Sequence, residues 1–170
     1  VQGGLLTPTE KADSWLALAL EKRTWDAWRT VLRDTTWNEI ERSVDDAYSY
    51  GFSTQQTLLA AREQTLAALK ECLPLRWYTV ASFCQAMKLH RPFFLRARGG
   101  SMASVYWDRM SFYGSWRRIE EPLLAYLLEN TLTAFNVVET GRTSARDGQR
   151  VFRLTARGTL LLGVITGAID

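Results

Sequence analysis

The chain has 170 residues, of which 46% are hydrophobic and 23% are charged, and its formal net charge is +3. This balance is that of a globular protein with a sizeable core, and it excludes an intrinsically disordered chain. No apolar run approaches the roughly 20 residues that a membrane-spanning helix needs, and no signal-peptide pattern opens the sequence. We therefore expect a soluble, cytoplasmic protein that does not bind membranes.

Residues 1–52 predict a helical N-terminal region. The capping box Thr7-Pro8-Thr9-Glu10 has Pro at the first helical position, which favours a helix start. Apolar residues then recur at helical spacing through Trp15 and Trp28, and the box Thr36-Trp37-Asn38-Glu39 begins a further helix.

Residues 53–170 predict a second domain. The box Ser53-Thr54-Gln55-Gln56 opens the most regular helix pattern of the chain, an apolar stripe that includes Arg62 and stops at a proline. The short segment 76–78 is predicted to be extended, and Thr79 is predicted to cap the next helix.

The C-terminal part predicts a helix, a hairpin and a final helix. An insert without a regular pattern is expected at about 91–115, and a helix is expected from about Trp116 to Glu129. The strands "FNVVET" and "RVFRLT" flank "GRTSARDGQ", which contains turn-forming residues, and Thr155 then caps the last helix. On the helix before the hairpin we expect four outward side chains: Arg117, Glu121, Ala125 and Glu129.

This order of elements resembles a winged helix-turn-helix domain, and "FRLTARGTLLL" resembles the phrase with which many such domains end. More narrowly, "RWYTVASFCQAM", "FFLRA", the insert with Trp107 and "SWRRIEEPLLAYLLENTLTAFNVVETG" resemble the winged-helix segments of bacterial proteins related to the accessory, non-motor part of XPB-type helicases. The likeness covers about residues 53–162. Ala134-Phe135-Asn136 stands where that family usually has Trp-Leu-Gly.

The resemblance implies a fold class that is mainly α with a small β-hairpin (α+β), in which a helical N-terminal region precedes a winged helix-turn-helix domain. It also implies a non-catalytic, helicase-associated module of a larger bacterial protein. The opening "GLLTPTEKADSWL" is a fainter version of "RVFRLTARGTLLLG", so we expect the tail of a preceding winged helix there. The alternative is coincidence, because a Thr cap before an apolar helix is common.

The charge is unevenly distributed. Between Arg76 and Arg118 eight basic residues stand against the single acidic residue Asp108, and this stretch holds half of the 20 aromatic residues. Such a composition is typical of surfaces that bind phosphate and stack on bases, although the aromatics could instead form a core that arginines surround. We expect weak or non-specific DNA binding through the wing and basic loops, by Arg142, Arg146, Arg150, Arg96, Arg98, Arg91 and Arg117.

Two other functions remain open. The winged helix could serve as a protein-interaction or docking scaffold, for other domains of the parent protein, a protein partner or a second copy, without binding nucleic acid. A small-molecule or nucleotide sensor that uses the aromatic insert is a third hypothesis.

Enzymatic activity, a cofactor and a metal site are not expected. The single His90 has no neighbouring ligand, and Cys72 and Cys84 fit the pattern of reduced core thiols. No phosphate-binding loop and no nucleophile elbow is present in the sequence.

Overall fold

The computed structural model describes residues 10–44, 55–92, 94–95 and 116–163. These residues are mainly helical with a small antiparallel sheet, so the α+β class is confirmed. None of the helices in these ranges is long and apolar enough to cross a membrane. The helices are α1 (Glu10–Leu16), α2 (Leu20–Arg33), α3 (Glu39–Ser43), α4 (Gln55–Leu69), α5 (Val80–His90), α6 (Glu120–Tyr126) and α7 (Ala156–Leu162), and the strands are β1 (Trp77–Thr79), β2 (Val138–Arg142) and β3 (Arg150–Leu154).

Three helices begin at a side chain that accepts a hydrogen bond from a first-turn amide. Thr79 caps α5 and Thr155 caps α7, as predicted. Asn38 caps α3 by accepting from the amide of Ile40, at 3.1 Å. The predicted cap of this helix, Thr36, instead donates its hydroxyl to a carboxylate in the preceding turn. The start of α3 is therefore two residues later than predicted. The capping boxes 7–10 and 53–56 extend outside the described residues.

The three strands form a sheet in the order β1-β3-β2, with both pairs antiparallel. The predicted hairpin is β2 and β3, and the short extended segment after α4 joins it as a third strand. Phe152 and Leu154 of β3 are buried, whereas Val151, which precedes Phe152, is only half-buried. This alternation follows from the two-residue period of a strand, which places Val151 on the outer face.

Helix α6 continues without a break into a π-helical turn, Leu127–Leu132. The helical segment ends at Asn136, whose φ of 54° lies in the left-handed region. The amide of Val137 donates to the carbonyl of Leu132 at 2.8 Å, and the amide of Asn136 donates to that of Thr133 at 2.9 Å. These two bonds form a Schellman motif, which favours Gly or Asn at this position. Asn136 therefore occupies a position at which Gly and Asn are the common residues.

The prediction that Ala125 points outward is wrong. Ala125 is buried, and the helix that carries it, α6, packs against both α3 and α5. The other three residues of that set, Arg117, Glu121 and Glu129, are exposed or half-buried.

One hydrophobic core unites the elements on either side of residues 45–54. It contains Trp28 and Ile40 from the N-terminal region together with Phe152 and Leu154 of the sheet. Within it the Phe83 ring meets that of Phe152 edge-on, with centroids 5.3 Å apart. The two parts of the chain therefore share a single packed interior. The domain boundary near residue 52 remains a prediction.

The segment "LTARG" has a packing role at the junction of β3 and α7. The amide of Gly158 donates to the Thr155 hydroxyl at 2.8 Å, and the amide of Thr155 donates to the Val137 carbonyl at 3.1 Å. A Cβ atom on Gly158 would lie 2.0 Å from the same Val137 oxygen. Only glycine therefore fits here.

Candidate nucleic-acid interface

The loop between β2 and β3 is a closed hairpin end, which we call the wing and define as residues 142–150. The amide of Thr143 donates to the Gln149 carbonyl at 2.9 Å, and the amide of Gln149 donates to the Thr143 hydroxyl at 3.0 Å. Inside the loop, Gly148 adopts a φ of 52° and donates its amide to the Ala145 carbonyl at 2.9 Å. These bonds hold the loop in a defined turn.

The wing brings three of the predicted arginines together. Arg142 and Arg150 are direct cross-strand partners on the last rung of the hairpin, next to the loop. Arg146 lies in the loop that joins them, and all three side chains are exposed. The loop also contains Asp147, so residues 142–150 have a net formal charge of +2, and the two facing guanidinium groups repel each other.

The three wing arginines differ in how far contacts within the chain neutralise their charge. A guanidinium nitrogen of Arg142 donates only to a neutral group, the Gly148 carbonyl, at 3.1 Å. Arg150 forms an ion pair with Glu129 of the π-helical turn, with 3.2 Å between nitrogen and oxygen. Arg146 has no ion-pair partner in the part of the chain that the structure describes. Arg142 and Arg146 are therefore the charges most available to a phosphate.

Of the other predicted arginines, the structure describes Arg91 and Arg117. Arg91 lies at the end of α5 that is remote from the sheet, where it forms a 2.7 Å ion pair with Glu71. Arg117 is exposed just before α6. Arg96 and Arg98 lie outside the described residues. Within the described ranges the candidate interface therefore consists of the wing arginines alone.

A row of side chains on the outer face of the sheet was not predicted. Trp77, Arg153 and Glu139 lie side by side on the three strands. The Arg153 guanidinium is 4.8 Å from the centre of the Trp77 ring and forms a 2.7 Å ion pair with Glu139. The two-residue alternation of the strands places all three on this face, but their pairing depends on the register.

The sequence reasoning also missed a buried ion pair between Arg62 of α4 and Glu39 of α3. Their side chains are only 3% and 0% exposed, and a nitrogen of Arg62 lies 2.6 Å from a Glu39 oxygen. The hydroxyl of Thr131, in the π-helical turn, donates to the same carboxylate at 3.1 Å. The pair thus connects three helical segments.

Backbone carbonyls complete the surroundings of the Arg62 guanidinium. It donates to the carbonyls of Val31 at 2.7 Å and Trp37 at 2.6 Å, and also to that of Asp34. With the bonds to Glu39, all five N–H groups have acceptors. Arg62 therefore satisfies backbone carbonyls at the C-terminal end of α2 and in the turn after it. Its role is structural.

The two cysteines are shielded from solvent, Cys84 fully and Cys72 in part. Both thiols are free, and burial raises the pKa of Cys72 to about 11 and that of Cys84 to about 12. Both are therefore protonated at neutral pH and are weak nucleophiles. His90 is exposed at the end of α5. Among the described residues no group of three or more His, Cys, Asp or Glu side chains is placed to hold a metal ion.

Comparison of the chain with models of known protein families, with curated proteins and with solved structures finds no match.

Proposed function

We propose that this chain carries a winged helix-turn-helix domain and acts as a non-catalytic, helicase-associated module of a larger bacterial cytoplasmic protein. In this proposal it binds DNA weakly and without sequence preference, through phosphate contacts. The observation that carries the proposal is the convergence of Arg142, Arg146 and Arg150 on one exposed hairpin end. Arginine matches the geometry of phosphate oxygens and is common at such contacts.

Binding to phosphates is favoured over reading of bases. A recognition helix offers polar or basic side chains to the major groove. The helix before the wing instead carries Glu121 and Glu129 on its accessible surface, and these carboxylates repel the DNA backbone. The specificity of such a module is therefore expected to be low.

The test is a salt titration of binding to a DNA duplex. Three phosphate contacts predict that the logarithm of the association constant falls with that of salt concentration with a slope of about −2.7. The variant Arg142→Glu/Arg146→Glu/Arg150→Glu is expected to lose most binding at low salt and most of this slope.

The control has the same change in charge on exposed residues of another element. Lys22, Arg29 and Arg33 are exposed on α2, so their triple change to Glu tests net charge alone. We expect the α2 variant to bind more tightly than the wing variant. Equal loss in both variants, or no binding by the wild type at low salt, contradicts the proposal.

The second candidate is a protein-docking scaffold, and the exposed apolar side chains of the first two helices favour it. Leu16 is 53% exposed, Leu20 58% and Trp25 43%, and α1 buries no residue. Aromatic and large apolar groups of this kind are enriched at interface cores.

A homodimer through this surface predicts that the solution mass of the wild type rises with protein concentration. The variant Leu16→Asp/Leu20→Asp is expected to have the mass of a monomer. A monomeric mass at all concentrations contradicts the homodimer.

A further inference from the structure

A second basic site lies in a cleft between the first two helices and α7. The cleft has a volume of about 250 Å³, and its lining includes Trp15, Leu20, Arg23, Phe135 and Arg157. One wall is therefore aromatic and apolar, and two guanidinium groups border it. None of the proposed wing residues takes part in it.

The cleft is at the opposite end of the sheet from the wing. Arg157 follows the last residue of β3, and Phe135 precedes β2, whereas the wing joins the other ends of these strands. A strand of five residues spans about 16 Å. The two basic sites are thus separated along the sheet and can be changed independently.

Among the described residues, no acceptor is assigned to the guanidinium groups of Arg23 and Arg157. The Nε atom of Arg23 is buried without a hydrogen-bond partner. Neither Arg23 nor Arg157 forms an ion pair with a carboxylate in the described ranges. The nearest aromatic group is Trp15, whose ring centre is 5.8 Å from the Arg23 guanidinium carbon. A buried donor without a partner is unfavourable and is rare in folded proteins, so an anion in the cleft would satisfy it.

We propose that this cleft binds a phosphomonoester attached to an aromatic ring system. Two guanidinium charges match the charge of about −1.5 to −2 that a phosphomonoester carries at neutral pH. Arginine binds such oxygens through two parallel hydrogen bonds, and the Trp15 side chain offers a flat surface for the ring. The volume of the cleft is below the roughly 300–1,000 Å³ of pockets for drug-sized ligands. The cleft therefore has room for one small ligand that consists of a phosphate and an aromatic ring system.

The test is a titration of the 170-residue chain with adenosine 5′-monophosphate at low salt, in which isothermal titration calorimetry measures the dissociation constant. Inorganic phosphate and adenosine serve as separate probes of the two halves of the ligand. We expect adenosine 5′-monophosphate to bind more tightly than either. If inorganic phosphate binds as tightly as the nucleotide, the aromatic ring does not contribute and that part of the proposal is overturned. If adenosine binds as tightly as the nucleotide, the phosphate does not contribute and that part is overturned.

The residues are tested with Arg23→Gln and Arg157→Gln. Each is expected to weaken nucleotide binding about tenfold or more, because each removes a charge-assisted hydrogen bond. Arg29→Gln is the matched control, since Arg29 is exposed on the same helix as Arg23. Unfolding curves establish that all three variants fold. Wild-type affinity in either cleft variant, or an equal loss in Arg29→Gln, overturns the proposal.

The wing variant separates this inference from the proposed function. Arg142→Glu/Arg146→Glu/Arg150→Glu is expected to keep wild-type affinity for the nucleotide while DNA binding is lost. Arg23→Gln is expected to keep the DNA affinity of the wild type. Loss of nucleotide binding in the wing variant would place the nucleotide at the wing and overturn the cleft site.

Discussion

At the scale of single residues, Arg62 shows how a charged side chain can hold a core together. Its guanidinium is buried, but every N–H group has an acceptor, and its ion-pair partner Glu39 also accepts from Thr131. A buried charge of this kind is tolerated because it is paired and hydrogen-bonded. Removal of one partner leaves the other charge without compensation.

The change Arg62→Met therefore predicts a large loss of stability. It leaves Glu39 buried and unpaired and removes three backbone contacts, so the free energy of unfolding should fall by about 3–5 kcal/mol. Urea unfolding followed by circular dichroism measures this. Arg33→Met, at an exposed position on α2, is the control and should change stability by less than about 0.5 kcal/mol. A loss in Arg62→Met no larger than that of the control would contradict the structural role.

Gly158 predicts a second large effect from a small change. In Gly158→Ala the new methyl group meets the Val137 carbonyl oxygen at 2.0 Å, so the junction of β3 and α7 must shift. We expect a loss of about 3 kcal/mol. Gly141→Ala is the matched control, because its Cβ meets its nearest neighbour, Val151, at an ordinary 3.7 Å. If thermal unfolding shows equal loss in both variants, the close approach at Gly158 does not determine stability.

At the scale of elements, the wing and the helix before it are coupled by the ion pair of Arg150 and Glu129. The pair is partly exposed, with 44% and 31% of the two side chains accessible. Such pairs contribute at most about 1 kcal/mol. Glu129 therefore competes with any phosphate for Arg150, but only weakly.

This competition predicts that Glu129→Gln strengthens DNA binding. The change releases Arg150 and removes a repulsive charge, so affinity at low salt should rise by up to about fivefold. Fluorescence anisotropy with a labelled duplex measures this. Glu63→Gln, an exposed position on α4, has the same change in charge and should raise affinity less. A larger rise in the control would mean that net charge, not Arg150, decides the effect.

The elements themselves could largely be predicted from the sequence. Turn-forming residues between two apolar segments located β2 and β3, and Thr79 and Thr155 located two helix starts. These signals are local, so one sequence suffices to find them. The burial of Ala125 could not be predicted, because it depends on which elements pack against α6, and only the tertiary fold decides that.

At the scale of the whole molecule, the described residues behave as one packed unit. Trp28 and Ile40 belong to the same core as the sheet, and Glu39 is the partner of Arg62. The position of Arg62 within an apolar stripe was a signal that it is buried. Its partner could not be identified, because Glu39 is 23 positions away in the sequence and no local pattern selects one carboxylate among several.

This unity predicts the behaviour of a shortened chain. A fragment of residues 53–170 lacks Glu39 and the core residue Trp28, and it leaves Arg62 without its carboxylate. We expect the fragment to lose cooperative unfolding, whereas the 170-residue chain unfolds in one transition. Urea unfolding followed by both fluorescence and circular dichroism compares them. A fragment that unfolds cooperatively with the stability of the full chain would show that the C-terminal part is independent.

The facing pair Arg142 and Arg150 also has a thermodynamic consequence for the hairpin. Repulsion between two guanidinium groups on the final rung favours fraying there, and an anion bound between them would oppose it. Ligand binding and strand closure are then linked, so a polyanion stabilises the closed turn in proportion to its occupancy. In the proposed function, the backbone of a bound nucleic acid would stabilise the hairpin in this way.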